Sequence, residues 1–117
     1  MTEQTPEFIY KIVTRSAFEA ARSADVFPRM PIDGKDGFVH FSTAPQLGET
    51  LRLHFKGQSG LVVFAVRSAD LADLRWEASR GGQLFPHLYG ALLPASVRRV
   101  DPLPLGADGR HVFPALD

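Results

Sequence analysis

Six consecutive apolar residues, Leu61-Val62-Val63-Phe64-Ala65-Val66, constrain the fold more than any other feature of the chain. A strand sends alternate side chains to opposite faces, so this segment is apolar on both and needs cover on both. It is far too short to cross a bilayer as a helix. The place that satisfies it is the middle of a covered sheet. A chain of 117 residues has room for one such layered core, because chains divide into separate domains only well beyond that length. At 44% hydrophobic and 22% charged, the composition is that of an ordinary globular domain and excludes disorder for the bulk of the chain.

The other elements are read around that strand. Residues 8–13, Phe-Ile-Tyr-Lys-Ile-Val, are rich in β-branched and aromatic side chains and read as a strand. Ser16 followed by Glu19 fits a capping box, with Phe18, Ala21 and Arg22 at helical spacing, so a first helix is expected over 16–25. Residues 27–37 hold prolines and glycines and read as a loop. Residues 38–42, Phe-Val-His-Phe-Ser, form a second strand with Val39 and Phe41 on one face and Phe38, His40 and Ser42 on the other. Thr43 caps a second helix, with Pro45 in its first turn and Gln46 three residues after the cap. Leu47, Leu51 and Phe55 recur along one face, and Gly57 stops it. A turn over 68–74, an extended piece over 74–77, a break at Arg80-Gly81-Gly82, residues 84–90 and a last strand over 97–100 complete the chain before a Pro-rich tail. Strands outnumber helices without alternating regularly with them, which argues α+β. The expected organisation is a loose leader over 1–7 and a single domain over 8–117.

Thirteen basic residues balance thirteen acidic ones, and no basic block exceeds the pair Arg98-Arg99. Nonspecific nucleic-acid binding, which depends on phosphate neutralisation, is not expected. No cysteine is present, which removes disulfide frameworks, thiolate zinc sites, iron–sulfur clusters and cysteine nucleophiles together. The polar, acidic start is the opposite of a signal peptide, so a cytoplasmic protein with no membrane partner is expected. No Gly-x-Ser-x-Gly elbow, P-loop, Rossmann fingerprint or short histidine ligand pair occurs, and no metal is expected.

The histidines carry the remaining chemical signal. His40 sits mid-strand and is followed by Ser42, Thr43 and a helix start, a combination suited to a polar or anionic ligand. The plainer alternative is a half-buried histidine bonded to backbone, with Ser42 and Thr43 as caps. Phe85-Pro86-His87-Leu88-Tyr89-Gly90 places His87 and Tyr89 on one face if extended, and Gly90 permits a close approach. Its alternative is a proline-shaped turn whose aromatics fill the core. Glu77 lies beside Trp76, an apolar neighbour that could raise a carboxyl toward general acid–base use; the alternative is a surface glutamate. His54, in the second helix, and His111, in the tail, are expected to be solvated or structural.

Asp36-Gly37-Phe38-Val39-His40-Phe41-Ser42-Thr43 with Gln46, and then Glu77 with Phe85-Pro86-His87-Leu88-Tyr89-Gly90, resemble the two signatures of the DUF952 family of small bacterial proteins. The resemblance covers about residues 8–100. It implies a split, mixed or antiparallel sheet with about two helices, akin to the ADP-ribosyltransferase-like fold. It further implies a small-molecule site of the NAD or ADP-ribose type, with glycosidic or ADP-ribosyl transfer as the associated chemistry. In that reading His40 and Ser42 bond ribose hydroxyls, Thr43 and Gln46 face phosphate, Phe85 or Tyr89 stacks a ring, and Glu77 and His87 serve the transfer. Two other classes fit the same residues: a binding module without turnover, and a structural or oligomerising protein whose histidines satisfy buried polar partners.

Overall fold

In the computed structural model, residues 6–24, 37–78 and 80–114 are described. They form strands β1 (Phe8–Thr14), β2 (Val39–His40), β3 (Leu61–Arg67), β4 (Leu74–Ala78), β5 (Leu84–Leu88) and β6 (Val97–Leu103), with helices α1 (Arg15–Ala21) and α2 (Leu47–His54). The strands make two three-stranded sheets, ordered β1-β3-β6 and β2-β5-β4. All their pairings are antiparallel, the second of the two arrangements expected, and they fall into two separate sheets.

The apolar run occupies β3, the central strand of the first sheet. Its two faces belong to two buried clusters. Val62, Phe64 and Val66 join Ile9 and Val13 of β1, Phe18 and Ala21 of α1, and Val39, Phe41 and Leu88 from the second sheet. Leu61, Val63 and Ala65 join Tyr10, Ile12, Leu103 and the α2 residues Leu47 and Leu51. The first sheet is thus covered by α1 and the second sheet on one face and by α2 on the other, the arrangement that a strand apolar on both sides requires.

Several boundaries differ from the sequence expectation, each for a local reason. The cap of α1 is Thr14 and not Ser16: β1 runs one residue further and delivers Thr14 in extended geometry, where Oγ1 accepts from the Ala17 N–H at 3.1 Å. The helix ends at Ala21, with the Arg22 N–H bonded to the Phe18 carbonyl; residues 25–36, which include the expected helix end and all but the last residue of the loop expected over 27–37, lie outside the described residues. Residues 1–5 of the predicted leader also lie outside them, while Glu7 accepts through its carbonyl from the Ser68 N–H at 2.9 Å. The second helix begins as a 3-10 turn over Ala44–Gln46, and Thr43 donates its N–H to Gln46 Oε1 at 3.0 Å. Gly57 follows that helix at φ +71°, a left-handed stop that glycine adopts without strain.

Two changes matter most for the site. The expected five-residue strand at 38–42 is only two residues long. The Phe41 N–H still bonds the Pro86 carbonyl of β5 at 3.1 Å, but Ser42 pairs with Tyr10 of β1 through two 2.8 Å backbone bonds. The chain therefore crosses from one sheet to the other between Phe41 and Ser42. The last strand continues past Val100 to Leu103, through Pro102, because β6 is an edge where a residue without an N–H is tolerated.

Candidate functional site

Pairing register decides which side chains share a face. His87 of β5 lies opposite His40 of β2 on one side and Arg75 of β4 on the other. Glu77 lies opposite Phe85. Directly opposed residues of antiparallel strands point the same way, and every second residue does too. The face of the second sheet turned away from the core therefore carries Phe38, His40, Arg75, Glu77, Phe85, His87 and Tyr89. Val39, Leu74, Trp76 and Leu88 occupy the opposite, core-facing side.

Glu77 is the centre of this face. Its Oε1 lies 2.8 Å from His87 Nδ1 and accepts the Tyr89 hydroxyl at 2.6 Å. Among the described residues, its Oε2 accepts no hydrogen bond. Phe38 forms an aromatic wall over these groups, stacked on His87 at 4.2 Å between centroids and lying 4.6 Å from His40 and 5.1 Å from Tyr89. The Arg75 guanidinium sits 4.9 Å above the Tyr89 ring. Beneath the face, the buried Lys11 ammonium donates to the His40 carbonyl at 3.0 Å.

The hydrogen bond from Tyr89, then that from His87, holds the Glu77 carboxyl below its ordinary value of 4.5, and burial only partly opposes them. The same bond keeps the proton on Tyr89, whose hydroxyl is raised above 10.0. This corrects the expectation that Trp76 raises Glu77. The two are adjacent in sequence but lie on opposite faces of β4, with the half-buried Trp76 packed against the core.

A pH dependence follows. Unfolded glutamate takes up a proton as pH falls through about 4.5, whereas native Glu77 does so only at lower pH. Its contribution to stability is thus complete above the unfolded value and is lost as pH falls through the folded one. The difference in melting temperature between the unmodified chain and Glu77→Gln is expected to be constant near neutrality and to shrink below about pH 4.5. Melting curves taken from about pH 7 to about pH 3 check this; a gap that persists unchanged to the acid end would contradict it.

The structure brings together five of the predicted site residues on one face, His40, Glu77, Phe85, His87 and Tyr89, and engages the others elsewhere. Ser42 is buried with its Oγ 3.1 Å from Thr50 Oγ1. Gln46 caps Thr43 through Oε1 and donates from Nε2 to the Leu84 carbonyl at 2.9 Å. Phe85 shares the face and is buried to the same degree as His87, each 6% exposed. At Gly90 the close neighbour is the Asp73 carboxylate, 2.9 Å from where a Cβ would stand. His54 is exposed on α2, and His111 Nε2 lies 2.8 Å from the Gln58 carbonyl. Phe38 and Arg75 were not among the predicted residues. The signal that could have found them is the two-residue period, which pairs Phe38 with His40 and Arg75 with Glu77.

A family model described as "Protein of unknown function (DUF952)" matches residues 12–100, a span that contains Phe38, His40, Arg75, Glu77, His87 and Tyr89. The chain belongs to the DUF952 family. Among solved structures, it is 45% identical to the crystal structure of protein CC0527 from Caulobacter crescentus, covering 90% of this chain and 93% of that one with a TM-score of 0.85. The solution NMR structure of CC0527 is similar at 46% identity, covering 88% and 90% of the two chains with a TM-score of 0.79. No curated protein matches. Among the described residues, no helix of this DUF952 chain is long and apolar enough to cross a membrane. The two DUF952 signatures, far apart in sequence, meet at the His40–His87 pairing.

Proposed function

We propose that the outer face of the second sheet binds an NAD- or ADP-ribose-like nucleotide, in an arrangement suited to glycosidic transfer. The observation that carries the proposal is the Glu77 carboxylate, kept ionised by two hydrogen bonds to Oε1 while Oε2 remains uncommitted among the described residues. Cleaving an N-glycosidic bond places positive charge on the sugar. A fixed carboxylate without reorganisation of its own is suited to stabilising that charge. Phe38 and Tyr89 offer surfaces on which a base or nicotinamide ring can stack, and His40 borders the same face. Arg75 is the cation best placed to meet a phosphate, since Thr43 and Gln46 are engaged with each other. The ADP-ribosyltransferase-like fold that the two sequence signatures imply is the ground for choosing this class of nucleotide.

Convergence of four polar residues disfavours a purely structural role for the histidines. It does not separate a transferase from a binder that lacks turnover, which the experiment does. Thermal-shift titrations with NAD and ADP-ribose are run beside His40→Ala and His87→Ala. A ligand at 100 times its Kd adds about 2.7 kcal/mol of stability, and both variants are expected to lose that shift. Nicotinamide release from NAD then marks transfer, and a shift without release marks the binding module. Folded protein that shifts with neither ligand would remove the nucleotide reading.

A further inference from the structure

His87 is 6% exposed, and its two ring nitrogens differ in environment. Nδ1 lies 2.8 Å from Glu77 Oε1, whereas Nε2 has no hydrogen-bond partner among the described residues. Two aromatic rings lie against it: Phe38 stacks at 4.2 Å and His40 stands edge-on at 5.5 Å between centroids. An ionised carboxylate has no proton to give, so the hydrogen in the Glu77–His87 bond belongs to Nδ1. A neutral imidazole carries one N–H. In the neutral form of the ring Nε2 is therefore an acceptor, without a partner among the described residues. A buried acceptor left without a donor is destabilising, and native proteins leave few of them without a use.

We infer that His87 Nε2 accepts a hydrogen bond from a hydroxyl or N–H of the bound ligand, and that Glu77, seconded by Tyr89, is the positioning residue that fixes the Nδ1–H tautomer. The inference rests on the face being a ligand site and narrows what that ligand is. It must bring a hydrogen-bond donor to Nε2, and Arg75, whose guanidinium lies over the Tyr89 ring on the same face, favours a ligand that also carries an anionic group. A hydroxyl-bearing phosphate such as a ribose phosphate has both. Tyr89 already donates to Glu77 and keeps its proton, so it locks the carboxylate and leaves acceptance from the ligand to His87. The other charged or titratable groups around the ring are His40, across the pairing, and Lys11, on the His40 carbonyl.

The test reads the tautomer directly. Full-length protein labelled with 15N-histidine is examined by long-range proton–nitrogen correlation at about pH 8, well above the ordinary histidine value of about 6.5. The His87 signals are assigned by their loss in His87→Gln. The expected result is a protonated Nδ1 and an unprotonated Nε2. In Glu77→Ala the tautomer is expected to move to the Nε2–H form that free imidazole prefers, with the His54 and His111 signals unchanged as the check on folding. A wild-type His87 protonated at Nε2, singly or at both nitrogens, would overturn the inference, as would a Glu77→Ala tautomer identical to wild type. Addition of ADP-ribose is the second arm, and it is expected to move the Nε2 resonance. Binding that leaves Nε2 unmoved overturns the acceptor role. Failure of ADP-ribose to bind, with the tautomer as expected, counts against the nucleotide reading and leaves the positioning role of Glu77 standing.

Discussion

Phe64→Ala is expected to destabilise the chain by about 3–5 kcal/mol, the range for emptying a large aromatic site in a packed core. Phe64 is 1% exposed at the middle of β3, lies opposite Lys11 of β1, and its ring is 5.7 Å from that of Phe18 on α1. It thus joins the first sheet to the helix and, through the shared cluster, to Val39 and Leu88 beneath the candidate site. Few neighbours can collapse into the space, because β3 is held by strands on both sides. For a domain of this size each kcal/mol corresponds to roughly 3–6 °C in Tm, so the melting point should fall by roughly 10–25 °C. Against a total of about 5–15 kcal/mol, that is a large fraction. Urea unfolding with an unchanged slope would assign the loss to the native core. Phe8→Ala, at a half-buried position of β1, serves as the milder comparison. A loss below about 1 kcal/mol for Phe64→Ala would mean that β3 is not the shared wall of two clusters.

The reason β3 was legible from sequence is that its signal is local: six apolar residues demand cover whatever surrounds them. The face assignments of residues 38–41 were legible for the same reason, since a period of two needs no knowledge of partners. What the period cannot supply is where pairing stops. Ser42 has the parity of His40, yet it leaves β5 for Tyr10 and buries its hydroxyl against Thr50. The environment of Glu77 was misread in a related way. Its sequence neighbour Trp76 is on the far side of the strand, and the groups that set its charge come from ten and twelve residues away. The period of two already put Phe38 on the face of His40; what it could not supply is that Arg75 and Glu77 share that face, which depends on the β2-β5-β4 register, and register is fixed by the whole buried face. The Pro-His-Leu-Tyr segment, by contrast, showed its alternation directly, and His87 and Tyr89 do share a partner.

The crossing at Ser42 is where the second largest effect is expected. Ser42→Pro removes the N–H that donates to the Tyr10 carbonyl at 2.8 Å and puts a ring carbon where that hydrogen was. A lost backbone bond combined with a ring clash costs a helix interior about 3 kcal/mol or more, and a buried seam has no more room to absorb it. Ser42 is 6% exposed, so water cannot readily replace the missing donor. Ser42→Ala keeps both backbone bonds and loses only the contact of Oγ with Thr50, which is worth about 0.5–1.5 kcal/mol. The two variants together separate the backbone seam from the hydroxyl. Because His40 lies two residues before the crossing, and its carbonyl receives Lys11 from β1, opening the seam also displaces one wall of the candidate site. Ser42→Pro is therefore expected to lose any ligand-induced thermal shift that Ser42→Ala retains. Equal melting points for the two variants would show that the Tyr10–Ser42 bridge does not hold the sheets together, and the alignment of His40 with His87 would then have to come from the β2–β5 pairing alone.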